Sequence, residues 1–484
     1  MKSLLVILVI CLSAAGVSAQ NKKKWDLRSI VDYAMSNNIT VKLSDVQAQV
    51  AQINYKQSKS SQIPNLNFTG NAGLNSGTNQ DPTTFSRVTE TYFSSGLQLQ
   101  SSVDIFNFYS KRNTIAANNW ELLAAKANTD KLKNDIALTV ANAYLQILLS
   151  IEQQNITSVQ IQQTTSQLSN TKKLVDAGSL PPLNLTQLEA QLATDSVNYI
   201  TAKGAVLQNI LTLKAYMNID PAADFDVDTP SIKSIPLDPI ANLLPETVYA
   251  LALKNQPLQR YDDLKIKAAQ KNKDAARGAM YPSLSMYGSL GTTYQAFKKK
   301  GYYDPNDAVL LGYVNTPYIV PGTIVDTVLG PVYGNGPQKY IRPAAYSRQL
   351  SDNFNQGIGL SLSIPILNGR SLKSNYERSK LNIVSWQLQK VQDDQNLKQN
   401  IFQAYNSVLI ALEKFNASKK SVDASQLTYD YAKKRFDVGM LNTFDLITTQ
   451  NNLLTAKLQY SINEFDYVFK MKVLEFYKGM GIKL

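Results

Sequence analysis

Two very long stretches of this chain contain neither glycine nor proline, and no other feature restricts the fold as much. The stretches are Lys111–Ala177 and Ser371–Val438. Apolar or small residues recur in them at intervals of three and four, which is the spacing of a helix face that packs on a partner. A helix of this length extends roughly 100 Å, far more than a small globular domain. The sequence therefore predicts two long helices of the coiled-coil kind.

The chain also repeats itself. IPNLNFTG from Ile63 is similar to YPSLSMYG from Tyr281, and IFN from Ile105 is similar to ILN from Ile366. Such self-similarity is typical of a duplicated architecture. We therefore predict a tandem repeat, whose parts are a signal peptide at 1–19, a first repeat at 20–220, a linker at 221–240, and a second repeat at 241–484 with a long loop at 295–350.

A short glycine motif follows each long helical stretch. The first copy is VDAGSLPPLNL, Val175–Leu185, and the second is FDVGMLNTFDL, Phe436–Leu446. Each motif precedes another helical pattern, so Gly178 and Gly439 are expected at the turn of a helical hairpin, where glycine can adopt the left-handed conformation. Asn184 and Asp445 occupy matching places after these glycines. They are candidates for helix caps, and a second role is compatible with that.

Four segments have the alternating pattern of β-strands, with one apolar and one polar face. They are 65–74, 93–105, 283–294 and 353–364. Four strands cannot close a transmembrane barrel, since single-chain barrels begin at about eight strands. An open sheet edge in lipid leaves backbone groups unpaired. The strands are therefore soluble, covered by other parts of the chain, or completed by further chains.

Composition excludes several classes of function. The chain contains no histidine, and its only cysteine, Cys11, lies in the apolar core of the expected signal peptide. Disulfides, thiolate or imidazole metal sites, and catalysis by His or Cys are therefore not expected after that segment. The net charge is +12, but the lysines are scattered, so we expect solvated helix faces and no nucleic-acid partner, with an anionic partner or a lipid surface as the alternative. No cofactor and no enzymatic activity are expected.

The combination of these motifs resembles the TolC-like outer membrane efflux proteins, also called outer membrane factors. The parts that carry the resemblance are the P-x-L strand openings at Pro64 and Pro282, the IFN and ILN junctions, and the two glycine motifs. The resemblance implies a mainly α fold with a β-barrel part, built as a homotrimer with four strands and two long coiled-coil hairpins per subunit. Twelve strands would cross the outer membrane lipid, and twelve helices would form a tunnel in the periplasm.

The same resemblance implies a passive exit duct of a tripartite efflux or type I secretion system. An inner-membrane transporter would supply the energy, and a periplasmic adaptor protein would dock at the hairpin tips. An alternative from another class is a non-pore periplasmic adaptor or spacer, a coiled coil without a channel. The four alternating segments argue against it, because an adaptor has no need of outward-facing apolar strands.

Carried over by position, the resemblance places Asn184 and Asp445 at a narrow periplasmic gate. The arrangement best known in the family has an Arg two residues after the glycine and a Tyr before it, where this chain has Leu441 and Phe436. The family's arrangement also has a second Asp, and this chain has Thr448 at that position. A salt-bridged lock is therefore not expected. The residues expected to form the hairpin-tip hinge and the adaptor contact are Gly178, Leu180, Gly439, Leu441 and Phe436. Alternatively, the two leucines pack against the turn of their own hairpin.

Overall fold

The structure is a computed structural model, and the residues it describes fall into several ranges. These ranges are 24–80, 87–230, 232, 235–296, 300–302, 304–320, 323–341 and 344–479. The expected signal peptide, 1–19, lies outside the described residues. The long loop expected at 295–350 is described only in part.

Helices make up most of the described chain. In chain order they are α1 (Leu27–Asn37), α2 (Ile39–Ser60), α3 (Ser110–Asp176), α4 (Pro182–Met217), α5 (Pro245–Asn255), α6 (Pro257–Gly278), α7 (Tyr346–Asp352), α8 (Ser371–Asp437) and α9 (Thr443–Tyr477). Helices α3 and α8 have 67 residues each and occupy the predicted runs without Gly or Pro. Within the described ranges, no helix has a stretch long and apolar enough to cross a membrane.

The predicted alternating segments form one antiparallel sheet. Its strands are β1 (Asn65–Gln80), β2 (Arg87–Phe106), β3 (Ser283–Ala296) and β8 (Asn355–Ser363), in the order β1-β2-β3-β8. Strands β1 and β8 are thus the two edges. The class of a mainly helical chain with a small sheet is confirmed. In sheet register, Phe68 pairs with Leu99 and Met286 with Leu360, as expected for residues on matching faces.

The segment expected as a long loop contains more regular structure than its composition predicted. It holds β4 (Lys300–Tyr302), β5 (Val309–Val320), β6 (Thr323–Gly334) and β7 (Lys339–Ile341), in the pairs β5–β6 and β4–β7. The count of four strands per chain is therefore too low. Glycine and proline suggested irregular backbone, but Val309–Val320 is rich in the β-branched and aromatic residues that favour strands.

The chain divides into two compact units. One, called here the helical unit, takes in residues up to Lys56, Thr114–Lys273 and the chain from Glu377 onward. The other, the sheet unit, takes in Gln57–Asn113 and Asp274–Tyr376. Each unit draws residues from both halves of the sequence, because the long helices begin in the sheet unit and continue in the helical unit.

Within the helical unit, four helices lie side by side in the order α2, α3, α6, α8. The contacts that define this order are Ser44 with Thr129 between α2 and α3, Leu264 with Ala124 and Ala127 between α6 and α3, and Asp263 with Lys390 between α6 and α8. Each contact joins residues that are far apart in sequence. Helices α2 and α8 are therefore the two ends of this row.

Buried clusters and the segment between the two halves of the chain hold the helical unit together. Ile147, Leu213 and Met217 are fully buried in one cluster, and Ile401 and Met471 in another. Fully burying such side chains contributes about 1.5–3 kcal/mol each.

Two buried lysines fix the connecting segment to the helices. Lys214 donates to the carbonyls of Pro221 and Ala223 at 2.9 and 2.6 Å, and Lys472 donates to that of Pro236 at 2.5 Å. These bonds give the buried ammonium groups the partners that their burial requires.

Candidate functional site at the hairpin ends

The two glycine motifs form the turns of two helical hairpins, as the sequence predicts. Gly178 and Gly439 have φ angles of +73° and +75°, in the left-handed region. Directly after them, Ser179 N–H donates to Leu174 O and Met440 N–H donates to Arg435 O, both at 2.8 Å. These bonds satisfy carbonyls at the ends of α3 and α8 in the geometry of a Schellman motif. Glycine is favoured here by backbone conformation.

The returning helices begin differently at the two ends. Helix α9 is capped by Asn442, whose Oδ1 accepts from the N–H of Asp445 at 2.8 Å. Helix α4 follows Pro181, which offers no side-chain cap. The expectation that Asn184 and Asp445 cap these helices is therefore wrong. The cap lies three residues before Asp445, and Asp445 instead places a negative charge in the first turn of α9, where it is favoured.

The gate candidates remain available for another role. The carboxylate of Asp445 is exposed and has no hydrogen-bond or ion-pair partner among the described residues. Asn184 is half-buried, and its backbone N–H donates to Pro181 O at 3.1 Å. Neither side chain therefore serves as the cap of its returning helix.

Phe436 and Leu441 pack against their own hairpin. Both are partly buried against a cluster that contains Tyr429, Leu446 and Leu453. For Leu441 the structure therefore supports the alternative of turn packing. Leu180 is half-buried as well.

The most exposed apolar side chains at the tips are ones that the sequence analysis did not select. They are Leu183 at 64%, Val438 at 67%, Met440 at 71% and Phe444 at 66% exposure. Exposed apolar groups gathered at one end of a molecule mark a contact surface. Their signal in the sequence was weak, because each lies within a glycine motif, where helix periodicity is interrupted.

The two hairpin ends are neighbours in the structure. An open groove of about 500 Å³ lies between α3 and α8. It is lined by Leu174 from the first hairpin and by Phe436 and Leu446 from the second. Across it, Gln167 Nε2 donates to the hydroxyl of Tyr429 at 2.8 Å, and burial raises the pKa of that hydroxyl. The residues predicted for the tips are thus brought to one end of the helical unit.

A buried polar layer joins the two hairpins further along the helices. Thr164 on α3 donates to Asp195 Oδ2 on α4 at 2.6 Å and accepts from Gln450 Nε2 on α9 at 3.0 Å. Gln191 on α4 donates to Asp195 Oδ1 at 2.8 Å and to Asn451 Oδ1 on α9 at 3.0 Å. Polar contacts of this kind fix the register of packed helices.

Comparison with known proteins identifies the family. The family model described as outer membrane efflux protein matches residues 30–218 and 248–468. The outer membrane efflux protein BepC of Brucella suis is 22% identical over 96% of this chain and 87% of its own length. Outer membrane protein TolC of Escherichia coli is 22% identical over 97% of this chain and 84% of its own length.

A crystal structure of CusC has the same fold, with a TM-score of 0.72 over 96% of this chain and 95% of that one, at 16% identity. The chain belongs to the outer membrane efflux protein family. It is a protein of the cell outer membrane, and this membership favours an efflux channel over the non-pore adaptor or spacer.

Proposed function

We propose that three copies of this chain form a continuous exit duct across the outer membrane and the periplasm. The observation that carries the proposal is that the two outermost elements of each unit are exposed on one side in a single copy. Among the described residues, the edge strands β1 and β8 each pair on one side only, and the helix row ends in α2 and α8.

The open sheet edges favour completion by further copies. Apolar side chains on both edge strands are exposed: Leu66, Phe68 and Leu74 on β1, and Ile358, Leu360 and Leu362 on β8. Exposed apolar side chains are favourable in lipid. Backbone N–H and C=O groups at an unpaired strand edge are not, because lipid offers them no hydrogen-bond partners. When β1 of one copy pairs with β8 of the next, the edges disappear. Three copies give a closed barrel of twelve strands, within the size range of membrane barrels.

The ends of the helix row favour the same assembly. Both carry exposed apolar side chains at helical spacing: Ile39, Leu43, Val46, Val50 and Ile53 on α2, and Leu381, Val384, Leu388 and Val391 on α8. These two different surfaces would pack on each other between neighbouring copies. Such head-to-tail contacts generate a ring when the rotation closes.

In this duct the hairpin ends form the periplasmic entrance. Three copies of Asp445 near one axis would narrow the entrance with negative charge and attract cations. The first-repeat position is Asn184, so the ring carries less charge than one with two acidic positions. Gly178 and Gly439 would be the hinge residues of the two hairpin tips.

The exposed apolar side chains of Leu183, Met440 and Phe444, with Leu180 and Leu441 beside them, would receive the periplasmic adaptor. An inner-membrane transporter then drives export through the open duct, in a tripartite efflux or type I secretion system. We propose no catalytic step and no cofactor.

The experiment is conductance of the detergent-purified chain in planar lipid bilayers. We expect stable channels, and we expect divalent cations added on the hairpin side to reduce their conductance. Asp445→Ala should weaken that block, because it removes one carboxylate per copy from the entrance. Asp437→Ala, at the last residue of α8, is the matched control. A chain without conductance would refute the duct, and an unchanged block would remove Asp445 from the gate.

A further inference from the structure

One carboxyl group is buried without a partner where α6 packs on α8. Asp262 is 1% exposed, and neither of its carboxyl oxygens has a hydrogen-bond partner among the described residues. Asp393 and Asp394 on α8 lie close enough for their negative charges to act on it. An ionised carboxylate in this position would be shielded from water and would have no hydrogen-bond partner among the described residues.

The nearby cations are already engaged elsewhere. Lys390 on α8 is hydrogen-bonded to Asp263, the neighbour of Asp262 on α6. Lys265 on α6 donates to Glu121 on α3 at 2.7 Å. Both ammonium groups therefore have carboxylate partners of their own, and Lys390 offsets the charge near Asp262 only in part.

These surroundings favour the protonated form of Asp262. Burial, followed by the charges of Asp393 and Asp394, raises its pKa to about 7, although Lys390 acts in the opposite direction. Burial also raises the pKa of Asp394. A carboxyl that is neutral below neutral pH and charged above it changes the charge of this helix contact within the physiological range.

In the first half of the chain, the position that corresponds to Asp262 holds a neutral side chain. Helices α2 and α6 both have 22 residues, and Ser44 and Asp262 are each the sixth residue of their helix. Ser44 is buried and shares a hydrogen bond of 3.0 Å with the buried hydroxyl of Thr129 on α3. The position in α2 that corresponds to Asp262 therefore holds a neutral side chain with a hydrogen-bond partner. Packing at this position of the helix does not by itself require an acidic residue.

We propose that Asp262, together with Asp393 and Asp394, is a proton-binding site that controls how tightly α6 packs on α8. The bound proton lets the contact close, and its loss leaves a buried charge opposite two further carboxylates. Among the described residues, no cluster of three or more His, Cys, Asp or Glu side chains has the arrangement of a metal site. This favours a proton over a metal ion as the ligand of Asp262. The proposal is independent of what the duct exports.

The sign of the pH effect follows from the direction of the pKa change. Between the ordinary aspartate pKa of 3.8 and about 7, the folded chain holds a proton that the unfolded chain lacks. Folding is therefore most favoured on the acidic side of this window, weakens as pH rises across it, and levels off above about 7. One proton changes the unfolding equilibrium by up to about tenfold per pH unit.

The direct test is an infrared titration of the full chain in detergent, from pH 5 to pH 9. We expect the stretching band of one protonated carboxyl per chain to disappear with a midpoint near 7. Asp262→Asn should abolish that band. Asp45→Asn, at an exposed position on α2, should leave it unchanged. The proposal is wrong if no carboxyl titrates near neutral pH, or if the band persists in Asp262→Asn.

A second measurement reports on the helix contact. Hydrogen–deuterium exchange, corrected for the chemical effect of pH, should show α6 losing protection as pH rises toward about 7, with no further loss above it. In Asp262→Ser, which restores the residue type of α2, protection should not depend on pH. Asp262→Ser can also replace Asp262→Asn in the infrared titration if Asp262→Asn does not assemble. Equal pH dependence in the variant and the parent chain would contradict a role for Asp262.

Discussion

At the scale of single residues, backbone conformation accounts for the glycines at the hairpin ends. A Cβ added at Gly178 or Gly439 would meet no atom within 4 Å, so space does not select glycine. The positive φ angles do, because a side chain in this conformation costs roughly 1–2 kcal/mol. The sequence predicted these turns correctly, since a glycine directly after a long helical pattern is typical of a left-handed helix end.

Replacing Gly439 by alanine should therefore destabilise the tip of the second hairpin by about 1 kcal/mol, through backbone strain alone. Hydrogen exchange of the segment that links α8 to α9 should increase severalfold. The matched control is Gly204→Ala in the middle of α4, where the added Cβ also meets nothing within 4 Å and φ is not positive. There alanine should slow local exchange, because it favours helix by up to about 1 kcal/mol. Equal effects at both sites would contradict the role of backbone strain at Gly439.

Residue-scale reasoning failed at the start of α9. Asn442 and Asp445 are both good capping residues three positions apart, and the sequence motif drew attention to Asp445. The structure uses Asn442 because its side chain reaches the backbone N–H of Asp445. The motif spacing alone did not distinguish the cap from the residue that it caps.

At the scale of elements, the buried polar layer between the hairpins fixes how their helices pack on each other. Thr164, Asp195 and Gln450 are almost fully buried, so each needs its partners from the other helices. Removing one member leaves a buried polar group of its partner without the hydrogen bond that the two share, at about 1–3 kcal/mol. The layer thus ties α9 to α3 and α4 close to the tips.

Thr164→Val should lower the thermal stability of the chain and increase hydrogen exchange in α4 and α9, because Asp195 loses a donor and Gln450 loses an acceptor. Thr157→Val is the matched control on the same helix. Thr157 is also buried, but its hydroxyl donates only to the carbonyls of Gln153 and Gln154 in its own helix. A control that destabilises as much as Thr164→Val would show that the layer has no special role.

The helices and the four-stranded sheet could be predicted from sequence, but this layer could not. Helix α3 lacks Gly and Pro, and the strands alternate, so local patterns suffice for both. Asp195 and Gln450 lie 31 and 286 residues from Thr164, and nothing local relates them. The β5–β6 pair was missed for the opposite reason, since its glycines and prolines concealed residues with strand propensity.

At the scale of the whole molecule, each of the two units has exposed apolar surfaces on its outermost elements. The apolar faces of α2 and α8 are exposed in a single copy, and so are the edges of β1 and β8. Burial of these faces would contribute about 25 cal/mol for each Å² of apolar surface removed from water. We therefore expect a closed ring of copies, in which α2 of each copy packs on α8 of the next.

Disulfide cross-linking between copies distinguishes a closed ring from separate chains, because the chain has no cysteine after Cys11. Val50→Cys on α2 and Val384→Cys on α8 lie toward the ends of their helices that lead into the sheet unit. With both cysteines in one chain, oxidation in the membrane should yield covalent dimers and trimers and nothing larger. Each single variant should remain uncross-linked. Absence of intermolecular cross-links, or a ladder that continues beyond three chains, would contradict the trimeric duct.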